Sequence, residues 1–152
     1  MANALFYLLT SANDAPQGNS ELLACQLAAR SYSKGQGMLI YCGDRAQAER
    51  VDELLWQFDA ERFIPHNLQG EGPQGGAPIV IHWHGGDHSR LENRPQLLNL
   101  APEPPHFAVQ FSQIIDFVPA DDQAKAQARR RFAAYRQLGI APSMHDLASQ
   151  PF

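Results

Sequence analysis

Short apolar runs with almost no polar alternation set the main constraint on how this chain folds. Ala4-Leu5-Phe6-Tyr7-Leu8-Leu9, Met38-Leu39-Ile40-Tyr41-Cys42 and Pro78-Ile79-Val80-Ile81-His82-Trp83 are three of them. A strand with one wet face alternates apolar and polar residues. A strand covered on both faces does not, and such strands belong to parallel sheets flanked by helices. Between the first two runs, Ser20 can cap a helix that continues to about Ser33, with Leu22, Leu23, Cys25, Leu27, Ala28 and Ala29 as a broad apolar stripe. Lys34-Gly35-Gln36-Gly37 then stops it. After the second run, Asp44 and Gln47 stand at capping-box spacing, and Ala48, Val51, Leu54, Leu55 and Phe58 form the buried face of a second helix. Strand-helix-strand-helix order implies a parallel sheet with right-handed crossovers.

Farther along, Phe63 to Leu68 leads into a glycine-rich loop, and His84 to Arg94 reads as a polar loop. Gln96 to Leu100 is a candidate short strand. Ala101 to Pro105 holds three prolines and excludes regular structure. Phe111 to Val118 reads as the last strand. Asp121 and Asp122 open a final helix, where negative charge suits the dipole, and Gly139 closes it. The expectation is one three-layer α/β domain with a mostly parallel central sheet over residues 1–140. Residues 141–152, with weak signals, are expected to form a C-terminal tail with some flexibility.

Composition narrows the function classes. The 152 residues include 44% hydrophobic and 18% charged residues, ordinary for a globular domain with a real core. No apolar run approaches the roughly 18 residues of a membrane span. The first nine residues lack the basic stretch of a secretory leader and read as a strand. Cys25 and Cys42 have no metal or redox spacing and read as buried small hydrophobes, reduced in the cytoplasm. The net charge of −4 argues against general attraction to nucleic acid, but its distribution is uneven. Residues 121–136 carry +3, which leaves −7 on the rest. Such asymmetry points to an interaction surface.

Three motifs of possible chemistry read as structural. Gly70-Glu71-Gly72-Pro73-Gln74-Gly75 is literally G-x-G-x-x-G. A dinucleotide loop needs that string after the first strand and at a helix start; here Pro73 removes an amide and a strand follows. His82, His84 and His88, with Asp87, have a spacing that can hold a metal, but a polar loop with solvated imidazoles is the favoured reading, and no metal or cofactor is expected. No nucleophile elbow, H-E-x-x-H or close carboxylate pair is present, so no catalytic residues are assigned and a non-enzymatic role is expected.

The fourth motif is the final helix. Successive residues turn by about 100°, which brings Ala124, Ala128, Phe132 and Tyr135 together as a core-facing stripe. The same turn places Lys125, Arg136 and Arg129 side by side within a sector of about 40° next to Phe132. Like charges at i, i+4 repel, and folding alone does not demand them. Arg130 points elsewhere. Arg131 lies near the apolar stripe and is expected to snorkel. Two readings stand: a solvated helix face, or a pocket for an anion with an apolar floor of Phe132 and Val118. Such a pocket suits an acidic peptide ending in a hydrophobic residue and its terminal carboxylate. The segment Asp146 to Phe152, ending Pro151-Phe152, is itself of that kind, so occupancy of the pocket by the chain's own tail stands beside an ordinary disordered end.

Several segments, in matching order over most of the chain, resemble the chi-subunit family of bacterial DNA polymerase III holoenzyme. They are Phe6-Tyr7-Leu8-Leu9, Asp52-Glu53-Leu54-Leu55-Trp56, Phe63 through Leu68, Gly70-Glu71-Gly72-Pro73 through Pro78, Asp116-Phe117-Val118-Pro119 and Ala134-Tyr135-Arg136. Residues 85–105 and those after Gly139 match poorly. The resemblance implies a fold with nucleotide-binding-like topology but no nucleotide chemistry. It implies two partners: the psi subunit, which ties chi to the clamp loader, and the acidic, phenylalanine-ended tail of single-stranded DNA-binding protein. It carries tail binding to Val118, Lys125, Arg129, Phe132 and Arg136, with Arg129 on the terminal carboxylate. Phe132 stands where the family often has tyrosine, and Ala133 where a further lysine can occur. Trp56 and Phe63 are implied psi contacts; ordinary core packing is their other reading. On this basis the chain is expected to be a cytoplasmic, non-catalytic bridge in DNA replication that meets DNA only indirectly. Direct single-stranded nucleic-acid binding by the basic helix is the alternative.

Overall fold

A computed structural model describes residues 2–9, 19–57, 63–89 and 91–146. The elements are β1 (Asn3–Leu8), α1 (Asn19–Ser33), β2 (Met38–Cys42), α2 (Arg45–Gln57), β3 (His66–Leu68), β4 (Ile79–Trp83), β5 (Gln96–Asn99), a short 3₁₀ turn (Ala108–Gln110), β6 (Gln113–Val118), α3 (Asp122–Gln137) and β7 (Ala141–Asp146). All seven strands form one sheet in the order β3-β4-β2-β5-β6-β1-β7. Every pairing is parallel.

The unbroken apolar runs lie where two-sided burial predicts. All five residues of β2 are buried, as are the first four of β4. One core joins α1 and α2 to Met38, Ile40, Ile79 and Ile81. The other joins α3 and the 3₁₀ segment to Phe6, Leu39, Val80 and Ile114. Alternate residues of each strand therefore serve opposite helical layers, and the architecture is three-layered as expected. Among the described residues, no helix is long and apolar enough to cross a membrane.

Local chemistry sets the element ends. At α2 the Asp44 carboxylate accepts from Gln47 N at 2.8 Å, while the Gln47 side chain accepts from Gly43 N at 2.7 Å. The reciprocal cap thus reaches one residue farther back than the usual box. Asp121 caps α3 by accepting from Ala124 N. At the other end Gly139 takes φ +80°, Gly139 N donates to Arg136 O, and Ile140 N donates to Tyr135 O. This is a Schellman stop that buries Ile140.

Two strands carry no strand signal in the sequence. β3 is only three residues long and begins with His66 and Asn67, both buried. β7 is the final strand, so Phe111–Val118 contains the penultimate one, β6, and the sheet extends past residue 140. β7 is largely exposed and carries Pro142, which deprives it of an apolar signature. Residues 147–152, including Pro151 and Phe152, and Phe58, expected on α2, lie outside the described residues.

The glycine-rich loop is a turn between parallel neighbours. Gly70, Gly72, Gly75 and Gly76 all take positive φ. A Cβ on Gly72 would stand 2.7 Å from the Asn67 side chain. Asn67 Oδ1 in turn accepts from Ala77 N. Gly72 and Gly76 accommodate close packing, against Asn67 and against Val80 and Glu92, whereas Gly70 and Gly75 face open space.

Candidate functional site

The five residues of the predicted pocket share one open cleft. It holds about 770 Å³ and is lined by Val118, Lys125, Arg129, Phe132 and Arg136, together with Leu8, Ala128, Ala133, Gln137 and Met144. The C-terminal ends of β1 and β6 supply Leu8 and Val118, α3 supplies the cations, and edge strand β7 supplies Met144. Phe132 is half-buried, and its ring packs 5.4 Å from that of Phe6. Phe6 also meets Tyr135 edge-on at 5.7 Å. The apolar floor is therefore continuous with the core, which holds it rigid.

Lys125 is half-buried, and Arg129 and Arg136 are exposed. Among the described residues, none of the three has a carboxylate partner. Three cations with no carboxylate partner among the described residues, set over an apolar floor, have the chemistry to hold a group that is both anionic and greasy. Leu8 and Met144 are not expected in the cleft from the sequence. The only available signal is topological: a helix that follows a parallel strand can serve as the crossover to a further parallel strand.

Arg131 does not snorkel. It is buried, and its Nε lies 3.1 Å from both oxygens of Asp116. Its terminal nitrogens donate to Phe117 O at 2.9 Å and Pro102 O at 3.3 Å. Asp116 also accepts from Phe117 N at 2.7 Å, Tyr135 Oη at 2.9 Å and Asn99 Nδ2 at 3.2 Å. Burial pushes the Asp116 carboxyl above its ordinary range, and Arg131 opposes that shift. Burial and the neighbouring Asp116 raise the Tyr135 phenol. This network ties α3 to β5 and β6 and keeps Arg131 out of the cleft.

A second exposed feature occupies the opposite sheet edge. Trp56 is 55% exposed and Phe63 is 62% exposed, so neither is core. Their ring centroids are 5.3 Å apart. Beneath them His66 meets Trp56 edge-on at 4.9 Å and donates from Nδ1 to Ile64 O at 2.7 Å. Its Nε2 approaches Asp52 at 3.2 Å without the alignment of a hydrogen bond. Burial raises the Asp52 carboxyl, and the adjacent His66 opposes that rise.

The remaining motifs come out as follows. His82 donates from Nε2 to Glu92 at 2.8 Å, and its Nδ1 lies 3.0 Å from that of His88. His84 is 3.3 Å from the Tyr41 hydroxyl. Among the described residues, no group of three His, Cys, Asp or Glu side chains is arranged to hold a metal. Cys25 and Cys42 are free and buried. Burial pushes the Cys25 thiol up to about 12 and Cys42 higher still, which keeps both protonated and inert.

Fold and site together define a class: an open, parallel three-layer α/β domain with a basic, apolar-floored cleft at one sheet edge and no glycine-rich phosphate motif in the sequence after its first strand. Residues 1–143 match the family described as DNA polymerase III chi subunit, HolC, and the chain belongs to that family. It is 44% identical to the DNA polymerase III subunit chi of Escherichia coli strain K12 over 142 residues, covering 92% of this chain and 95% of that one. It is 46% identical to the Haemophilus influenzae subunit over 136 residues, covering 90% and 91%. The Pseudomonas aeruginosa subunit is 31% identical over 147 residues, covering 97% and 98%.

Proposed function

We propose that this chi subunit is a non-catalytic, cytoplasmic bridge within the replicative polymerase assembly. The cleft takes the acidic, phenylalanine-ended tail of single-stranded DNA-binding protein, and the Trp56–Phe63 patch takes the psi subunit. The observation that carries the reading is the cleft itself, where Lys125, Arg129 and Arg136 stand above Val118 and Phe132 with no carboxylate partner among the described residues. In this reading Arg129 forks the terminal carboxylate, Lys125 and Arg136 meet upstream acids, and Val118 and Phe132 receive the terminal ring. A bridge needs two separated surfaces. The cleft borders β7 and the aromatic patch borders β3, the two edges of a seven-stranded sheet. At about 4.8 Å per strand spacing, those edges are roughly 29 Å apart, so both partners can bind at once.

Direct single-stranded nucleic-acid binding fits less well. That mode uses aromatic platforms on which bases stack. Among the described residues, Phe132 is the only aromatic lining the cleft, and it is half-buried.

Calorimetric titration with a short aspartate-rich peptide ending in phenylalanine, and separately with an oligonucleotide, tests the proposal. Peptide binding should weaken by roughly tenfold or more in Arg129→Ala, the scale of a lost charge-assisted hydrogen bond. It should also weaken as salt is raised. Oligonucleotide binding without peptide binding overturns the reading.

A further inference from the structure

The cleft is walled by a helix on one side and by a sheet edge on the other. β7 is the terminal strand of the sheet and pairs only with β1 among the described residues. Ala141 N donates to Ala2 O, so residue 141 turns its backbone toward β1. Strand alternation then turns Ser143 and His145 the same way, and Pro142 and Met144 outward. Met144 N–H and C=O thus face away from the sheet, and so does Pro142 C=O. Proline stands where its missing N–H breaks no bond of the native ladder, as edge strands tolerate. The Met144 side chain, on the α3 side of the sheet, lines the same cleft as the cations.

From this geometry we infer that an acidic peptide in the cleft is held by its backbone as well as its charges, adding to β7 as an eighth strand. The inference rests on the peptide reading of the cleft and goes beyond it by assigning the binding mode. Dimensions and charge both point to this occupant. Lys125 and Arg136 are eleven residues apart on α3, about 16 Å along the axis. That distance equals about five residues of extended chain, and β7 has six. Lys125 and Arg129 are about 6 Å apart along the helix. Alternate side chains of a strand are about 6.6 Å apart on one face. An extended guest with acids at two alternate positions therefore meets Lys125 and Arg129 in succession, while its intervening residue turns away from the helix; Arg136 stands about 10.5 Å beyond Arg129, farther along the guest. Met144 exchanges one N–H and one C=O with the guest, and Pro142 offers a second acceptor.

The test is amide hydrogen exchange of the full chain, read by NMR with and without saturating aspartate-rich, phenylalanine-ended peptide. The Met144 amide should slow by about tenfold or more on binding. Ser143 and His145, already turned toward β1, serve as internal controls and should change little. In parallel, N-methylation of one peptide amide at a time should weaken binding at alternate positions only. A peptide that binds with Arg129 dependence while leaving Met144 exchange unchanged, and with no alternation in the N-methyl series, overturns the added strand but leaves the charged cleft intact. A peptide that does not bind at all overturns both.

Discussion

Arg129, Arg130 and Arg131 are consecutive, and the structure gives Arg131 a duty unlike that of its neighbours. Replacing Arg131 with Met removes the guanidinium and keeps most of its length. Asp116 is then a buried carboxylate without its counter-charge, and Phe117 O and Pro102 O each lose a donor. Breaking a buried pair by removing one partner costs about 3–5 kcal/mol. Three donors remain on Asp116, from Phe117 N, Tyr135 and Asn99, which places the loss near about 3 kcal/mol. At a urea slope of about 2 kcal/mol per molar, the unfolding midpoint falls by about 1.5 M. The pH dependence has a definite sign. Asp116 already sits above its ordinary range because of burial, and Arg131 restrains that rise. Without Arg131 the folded-state pKa climbs further. A carboxyl raised in the folded state favours folding when protonated and loses that benefit as pH rises through its folded pKa. The deficit of the variant relative to the parent is therefore largest near neutrality and narrows as pH falls toward about 5. Adding Asp116→Asn should recover part of it. Peptide affinity at the cleft should not change, because Arg131 faces the sheet. A deficit below about 1 kcal/mol, or one identical at both pH values, refutes the view that Asp116 depends on Arg131.

Two further perturbations separate structural from binding roles. Gly72→Ala forces a Cβ into a backbone at φ +81° and to within 2.7 Å of the Asn67 side chain, so thermal unfolding should show a loss of about 2–3 kcal/mol. Trp56→Ala removes a side chain that is more than half exposed, so stability should shift by less than about 1 kcal/mol. Copurification with psi should nevertheless fall by about tenfold or more, the scale of an aromatic anchor. Unchanged psi binding in a Trp56→Ala, Phe63→Ala double variant refutes the second surface.

What the sequence discloses, and what it hides, follows from where each residue finds its partner. β2 is readable to the residue because both its faces are buried, which forces every position to be apolar. β3 is hidden because His66 and Asn67 are polar yet buried, His66 donating from Nδ1 to the nearby Ile64 O and Asn67 accepting from Ala77 N across the glycine-rich loop. β7 is hidden because it joins the sheet through backbone pairing with β1, which any side chain permits, so nothing in the sequence places Met144 beside the cations. The cationic row is legible because helical period alone aligns Lys125, Arg129 and Arg136. The same period places Arg131 correctly in the apolar stripe but cannot reveal its role, since Asp116 is fifteen residues away and buried. Charge count on α3 is therefore a poor guide to function. The better guide is whether each guanidinium already has its anion. Arg131 has one and is architecture; Lys125, Arg129 and Arg136 have none among the described residues, and that unmet charge beside Phe132 and Val118 is what supports the proposal that the cleft is a receptor rather than a surface.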